Sequence, residues 1–256
     1  LCTFASILKL MTQKFLFFCA LLCLGLQAQT VKKVDHQSIV WTRYYNQLLL
    51  SEKWSLHSEI DNRVFTKPIQ QNVYVLRVQG RYKINSQLET GAGLAHFSVT
   101  TQIPEINPDF RIPEYRGQQD LTWRISGKKI ILNQRFQVEE RFIHNANAAG
   151  LLPGSTFSWR FRYRLQGDYT FWKKENQAVK AILSDEIMFN AGKSTRKNTF
   201  DQNRIYAAIH FQASNHFSYE LGYLNSYQRR PSGVDFFDRD IIRLSIFHRL
   251  NWKNKS

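Results

Sequence analysis

Thr156–Leu165 reads T-F-S-W-R-F-R-Y-R-L, and its alternation decides the fold. In an extended strand successive side chains point to opposite faces. Phe157, Trp159, Phe161, Tyr163 and Leu165 therefore share one face, and Ser158, Arg160, Arg162 and Arg164 share the other. On a helix the same residues would be smeared around the whole surface. One face is built for an apolar neighbour. The other carries three like charges, which repel unless carboxylates or water surround them. The interior of a membrane-spanning β-barrel supplies that setting, with apolar residues outward and polar residues inward.

The rest of the chain fits this reading. Its 256 residues show no Pro/Gly/Ser-rich linker, so one domain is expected. Aromatic residues make up 14% of the chain, yet the mean hydropathy of −0.41 is that of a soluble protein. Alternating strands hide their hydrophobicity in such averages, so the low value does not argue against a barrel. Met11–Ala28 has the pattern of a secretory signal, with Lys14 ahead of the apolar run Phe15–Leu26 and a cut after Gln27-Ala28. The expected organisation is a removed segment, 1–28, whose first residues Leu1–Leu10 read as an over-extended start or a fragment scar, then a single barrel domain, 29–256. Cys2, Cys19 and Cys23 all fall in the removed segment, leaving neither disulfide nor thiol ligand. Leu22 is bulkier than the residue that precedes a lipidated cysteine, which argues against an anchor on Cys23.

The formal net charge is +15, and +13 once Lys9 and Lys14 leave with the signal. Such a charge raises the question of nucleic acid. Here the basic residues alternate with apolar ones inside strands of an exported chain, so no nucleic-acid partner is expected. Acidic side chains across a barrel interior and anionic headgroups suit them better.

About eleven β segments follow, most near the roughly 9–11 residues that a tilted transmembrane strand needs. The clearest are 54–64, 73–84, 114–125, 130–141, 156–165, 217–223 and 241–252, and weaker ones cover 37–48, 87–99, 177–190 and 200–212. Asn85-Ser86-Gln87, Gly127-Lys128-Lys129 and Ser214-Asn215-His216 read as tight turns. Thr100–Pro113, Ile143–Ser155, Ala191–Thr199 and Arg229–Asp238 read as long loops. Short turns at one end and long loops at the other are the plan of outer-membrane barrels, with the long loops facing the exterior. Bacterial single-chain barrels have even strand counts. Either a strand is hidden, Gly167–Asn176 with Tyr169, Phe171 and Trp172 being the best place, or 37–48 is irregular. The expectation is an all-β, antiparallel, up-and-down transmembrane barrel of 10–12 strands, with 12 favoured. A secreted soluble sandwich or lipocalin-like barrel would also alternate. The signal, strand lengths, loop asymmetry and aromatics near strand ends favour the outer membrane.

Several short pieces, in order, carry a family resemblance: Glu59 and Arg63; Glu114-Tyr115-Arg116-Gly117-Gln118-Gln119; Glu139-Glu140-Arg141-Phe142; Arg160-Phe161-Arg162-Tyr163; Phe200-Asp201-Gln202-Asn203-Arg204; and Glu220-Leu221-Gly222-Tyr223. Over about residues 37–250 the chain resembles the outer-membrane-type proteins catalogued as domain of unknown function 2490, common in Bacteroidetes and some Proteobacteria. The resemblance implies architecture and location. It implies no catalytic residues, because the family has no assigned activity.

Chemistry-bearing motifs are sparse. His-x-Ser spacing, which puts both side chains on one strand face, occurs at His36/Ser38, His96/Ser98 and His216/Ser218, and Glu220 would extend the last to a triad-like row. With seven histidines among common serines, chance explains such spacings. Glu139-Glu140 and Asp185-Glu186 are neighbours in sequence and so point to opposite faces. Glu139 reads as a structural ion-pair member. No cofactor, metal site or catalytic set is expected.

Two functions are carried forward. The first is a non-enzymatic barrel, a small-solute channel or envelope structural protein with a narrow interior. Its lining would be Glu59, Arg63, Arg77, Arg81, Glu114, Arg116, Arg124, Arg135, Glu139, Arg141, Arg160, Arg162, Arg164, Glu186, Arg204 and Glu220. Trp54, Trp123, Phe157, Trp159, Phe161, Tyr163, Tyr223 and Trp252 would face lipid. The partners expected are outer-membrane lipid, lipopolysaccharide and a small anionic solute. The second is a barrel hydrolase of the lipid A deacylase or phospholipase type.

Overall fold

In the computed structural model, residues 32–104, 110–192 and 198–252 are described. The expected signal at 1–28, with all three cysteines, lies outside them. Eleven strands appear among the described residues. They are β1 (Val34–Leu49), β2 (Trp54–Thr66), β3 (Ile69–Lys83), β4 (Leu88–Val99), β5 (Ile112–Ser126), β6 (Ile130–Asn147), β7 (Gly150–Lys174), β8 (Gln177–Ala191), β9 (Phe200–Gln212), β10 (Phe217–Arg229) and β11 (Phe236–Asn251). Each pairs antiparallel with its sequence neighbours, and β1 closes the barrel against β11.

That closure is parallel, from Val34 opposite Phe236 to Leu49 opposite Asn251. Eleven falls inside the expected 10–12 but is one short of the favoured 12. The reason is geometric. In an up-and-down chain with an odd number of strands, the first and last strands run the same way, and a parallel ladder can join them. The segment expected to be irregular, 37–48, lies in the full strand β1. The supposed hidden strand at Gly167–Asn176 is the far end of the 25-residue β7, paired with β8 out to Lys174 opposite Gln177.

Connections at one end are short, including Gly127-Lys128-Lys129, where Gly127 N donates to Ile130 O at 2.8 Å. The other end carries the longer segments between β4 and β5, β8 and β9, and β10 and β11. Ile143–Ser155 is not a loop. β6 runs on to Asn147 and β7 starts at Gly150, and the Asn147 side chain caps the tight turn by accepting from Ala149 N at 2.9 Å. Both strands thus continue past their neighbours as a hairpin. The seam strand β1 begins, at Val34, on this same end.

The outer surface is apolar. Leu94, Leu183 and Leu221 are more than half exposed, as are Phe136 and Ile205. Outward aromatics form two rows. Tyr74 and Tyr82 on β3, and Tyr115 and Trp123 on β5, are each eight residues apart. At about 3.3 Å per residue that separation is roughly 26 Å along the strand. Tilted by about 40°, it spans roughly 20 Å, close to the apolar band of a membrane barrel.

The interior is filled rather than hollow. Asp61, Glu139 and Met188 are fully buried although all point inward. An apolar cluster also lies inside, made by Ile39 and Trp41 of β1, Phe65 of β2, Ile182 of β8, Tyr206 and Ala208 of β9, Leu224 of β10 and Ile241 of β11. A smaller one joins Val73, Val75, Ala95 and Phe97.

Candidate functional site

The chemistry of this chain is concentrated in its interior. Strand alternation aims every second residue of β2 to β11 inward, and many of these are Arg, Glu or Asp. Glu139 of β6 is the centre of the largest network. Arg162 donates to it at 2.5 Å, Arg116 at 3.2 Å, and Arg160 lies 3.7 Å away. Arg162 also donates to Glu186 of β8 at 2.8 Å, and Glu186 takes a second arginine, Arg135, at 2.6 Å. Glu114 of β5 holds Arg116 at 2.8 Å and Arg141 at 2.6 Å. Arg160 pairs with Asp201 at 3.0 Å. Five strands, β5 to β9, are joined by this one ladder. Removing a single member leaves buried charge without its partner, which is the costly way to break such a set.

Two smaller groups flank it. On β2 and β3, Arg77 donates to Glu59 at 2.5 Å and Arg63 to Asp61 at 3.3 Å. Arg81 bridges Glu89 at 2.5 Å and Asp120 at 3.0 Å. On the opposite wall Glu220 of β10 accepts from Tyr206 at 2.6 Å and Arg243 at 3.0 Å, with His210 at 3.2 Å and Arg43 at 3.9 Å. Gly222 makes this possible, since the Tyr206 ring occupies the space that a Cβ at 222 would need.

All sixteen interior candidates project into the barrel. Fourteen of them, all except Arg124 and Arg164, have a carboxylate–cation partner within 4.0 Å among the described residues. Arg204 is the loosest of these, 3.9 Å from Glu186. Arg124 donates to Asn133 at 3.2 Å, and no carboxylate of the described residues reaches it or Arg164. The sequence reading left out Arg43, Asp201, Arg239 and Arg243 as site residues. Arg239 is buried and, among the described residues, donates only to neutral oxygens, those of Gln37 at 2.7 Å, Gln228 at 2.7 Å and Gln102 at 2.8 Å. Trp41 was also missed. Its ring lies inside the barrel with the guanidinium carbons of Arg63, Arg243 and Arg204 at 3.9, 5.5 and 5.8 Å from its centroid.

Trp54, Trp123, Phe157, Trp159, Phe161, Tyr223 and Trp252 lie exposed on the outer surface. Tyr163 is half-buried there, and its hydroxyl donates to Gln134 at 2.9 Å. Glu140, as its parity requires, is on the outside and accepts from Gln119 at 3.1 Å. Asp185 likewise turns outward to Asn203 at 2.6 Å.

The His-x-Ser pairs are not assembled. His36 faces Asp238 at 3.4 Å, the His96 ring packs on Tyr115, and His216 bonds the Arg249 carbonyl at 3.0 Å. Glu220 is bonded to His210 instead. A different pair does meet: Ser55 Oγ and His57 Nε2 lie 2.9 Å apart, with Tyr45 on the other ring nitrogen. Both members are buried, so this pair braces the β1–β2 corner and presents no open nucleophile.

The family described as "Protein of unknown function (DUF2490)" matches residues 39–237. No curated protein matches the sequence. Among solved structures, the barrel is similar to the NanC porin in a rhombohedral crystal form, with 10% identity and a TM-score of 0.45, over 78% of this chain and 93% of that one. It is also similar to a mutant of the ferric enterobactin receptor PfeA from Pseudomonas aeruginosa, with 12% identity and a TM-score of 0.30, over 69% of this chain and 35% of the receptor.

Proposed function

The chain belongs to the family of proteins of unknown function DUF2490, and from that premise we propose that it is a non-enzymatic outer-membrane barrel with a narrow, anion-preferring interior. The observation that carries this reading is the uneven charge inside. Arg164 and Arg239 have no carboxylate partner among the described residues, whereas Glu139 and Glu186 are each shared by three arginines. A guanidinium stays charged at any working pH, so a mobile anion gains from entering and a cation does not.

The membrane setting is supported by the inverted surface, apolar outside and ionic inside, and by the two aromatic rows. Residues 1–28 act as the export signal, the long-loop end faces the exterior, and membrane lipid and lipopolysaccharide surround the wall. Fractionation with heat-modifiability tests location: a folded barrel pelleting with outer membranes and shifting on boiling supports it, and recovery in a soluble wash removes it. Planar-bilayer recording tests the interior. Small anion-selective steps are expected, and a large cation-selective conductance would overturn the reading.

A further inference from the structure

Trp41 sits at a place where the donors outnumber the acceptors, which are Asp61 on Arg63, Gln202 on Arg204 and Glu220 on Arg243. It is 5% exposed, and its indole Nε1 has no hydrogen-bond partner among the described residues. A buried N–H of this kind is costly unless something accepts from it. Its ladder neighbours on both sides are arginines, Arg63 on β2 and Arg243 on β11, and Arg204 reaches the same ring from β9. The Nε atoms of all three are also buried without a partner. Their guanidinium side chains nevertheless keep 13–17% exposure, so the space beside them is open to a small solute.

The acids nearby neutralise this group only in part: the buried Asp61 holds Arg63 at 3.3 Å, and the remaining acids are shared. Glu220 is divided among Arg243, Arg43, His210 and Tyr206. Glu186 is taken by Arg135 at 2.6 Å and Arg162 at 2.8 Å, leaving Arg204 at 3.9 Å. Three guanidinium groups and an indole N–H, converging on one aromatic ring, call for a compact ligand that only accepts hydrogen bonds and carries more than one negative charge. Guanidinium groups match tetrahedral oxyanions through paired N–H bonds.

We propose that Trp41, Arg63, Arg204 and Arg243 form a binding station for a doubly charged tetrahedral oxyanion of the phosphate or sulfate class. The station rests on the reading of the interior as an anion-preferring passage, and it names the solute class that pauses there. The apolar cluster around Trp41 gives it a low-dielectric wall, which strengthens charge pairing with the bound anion.

The full barrel, folded in detergent micelles, is titrated with inorganic phosphate at constant ionic strength while tryptophan emission and heat of binding are followed. A saturable emission change is expected, absent in Trp41→Phe. Calorimetric affinity should fall about tenfold or more in Arg204→Gln and in Arg243→Gln, the loss of a charge-assisted bond. Arg124→Gln, outside the station, should bind as the parent does. Acetate and chloride should bind about tenfold more weakly than phosphate, since each carries one charge. Heat-modifiability shows that each variant is folded; if one arginine variant fails to fold, the other and Trp41→Phe still decide. No saturable phosphate binding, equal binding of acetate, or undiminished affinity in the folded variants overturns the station. Bilayer recording separates it from the passage: phosphate binding without conductance keeps the station and removes the passage. Anion-selective conductance without phosphate binding does the reverse.

Discussion

Arg162 and Glu139 are 2.5 Å apart on adjacent strands, and the other terminal nitrogen of Arg162 lies 2.8 Å from Glu186. One guanidinium therefore ties β6 to β8 across its own strand, β7. Glu139 is fully buried, and among the described residues its charge is compensated by Arg162, Arg116 and Arg160, with the Gln137 amide donating to it at 2.8 Å. Glu139→Gln should destabilise the barrel by about 3–5 kcal/mol, the range for breaking a buried pair from one side. Glu89→Gln, at the more exposed end of the Arg81 pair, should cost about 1 kcal/mol or less. Urea unfolding from liposomes measures both, and equal costs would show that burial does not set the strength of these pairs.

Depth in the membrane, rather than exposure, should govern substitutions on the outer wall. Phe161 is 46% exposed and Leu151, out on the β6–β7 hairpin, is 45% exposed. Phe161→Arg should cost roughly 2–4 kcal/mol if it sits near the midplane, and Leu151→Arg roughly 0–1 kcal/mol. The same liposome unfolding checks this, and a neutral Phe161→Arg would place that face in water.

Arg162 and Arg164 are two residues apart on one face but should behave differently. Arg162 holds two carboxylates, so its removal should chiefly lower stability. Arg164 holds none among the described residues, so Arg164→Gln should leave unfolding nearly unchanged and weaken anion preference, read as a reversal-potential shift toward zero. Removing both should also raise conductance. An unchanged reversal potential would place Arg164 outside the conducting path.

The parallel seam can be tested by crosslinking, because every cysteine of the chain lies within residues 1–28. Ser38 is opposite Asp240 in the β1–β11 register. Paired strands bring such positions within reach of a disulfide. Ser38→Cys with Asp240→Cys should crosslink under oxidation in the folded barrel, whereas Ser38→Cys with Leu250→Cys should not. Crosslinking of the second pair would indicate antiparallel closure and an even barrel.

Gly222 leaves room for the Tyr206 ring, which a Cβ would displace from Glu220. Gly222→Ala should therefore destabilise by about 1–3 kcal/mol, the usual cost of overpacking. In a Tyr206→Ala background the same change should be nearly neutral. An additive pair of effects would sink this explanation.

Alternation made most of the barrel readable before any coordinates. The Thr156–Leu165 stretch set the faces of β7, and parity alone separated Glu139 from Glu140. Three things were not readable, for physical reasons. The partner of the first strand is not encoded by any local pattern, so the parallel seam could not be inferred from 37–48. That strand also looked irregular because Ile39 and Trp41 point inward while Ser38 and Thr42 point outward, the reverse of the rule used elsewhere. Trp41 itself was hidden by the same reversal, although Arg63 and Arg204 beside it are among the expected lining residues. Their shared surroundings appear only when β1, β2, β9 and β11 are brought to one place. The β6–β7 hairpin was mistaken for a loop since Asn145–Gly150, rich in Asn and Gly, carries turn residues well beyond the turn itself.

The seam between β1 and β11 sets the order in which this wall can be built. Every other neighbouring pair meets across a local connection, but Val34 and Phe236 are 202 positions apart in the chain and meet only once all the strands between them have been placed. Contacts of such separation carry the largest chain-closure entropy and form last. Gln37 with Arg239 and Tyr44 with His248, at 2.7 and 2.8 Å, latch the joint once it has met. Until then both edges carry unpaired backbone groups that cannot rest in hydrocarbon. In the proposed membrane setting the nascent sheet needs its two edges shielded during insertion, and the speed of maturation should depend on whatever brings this one joint together.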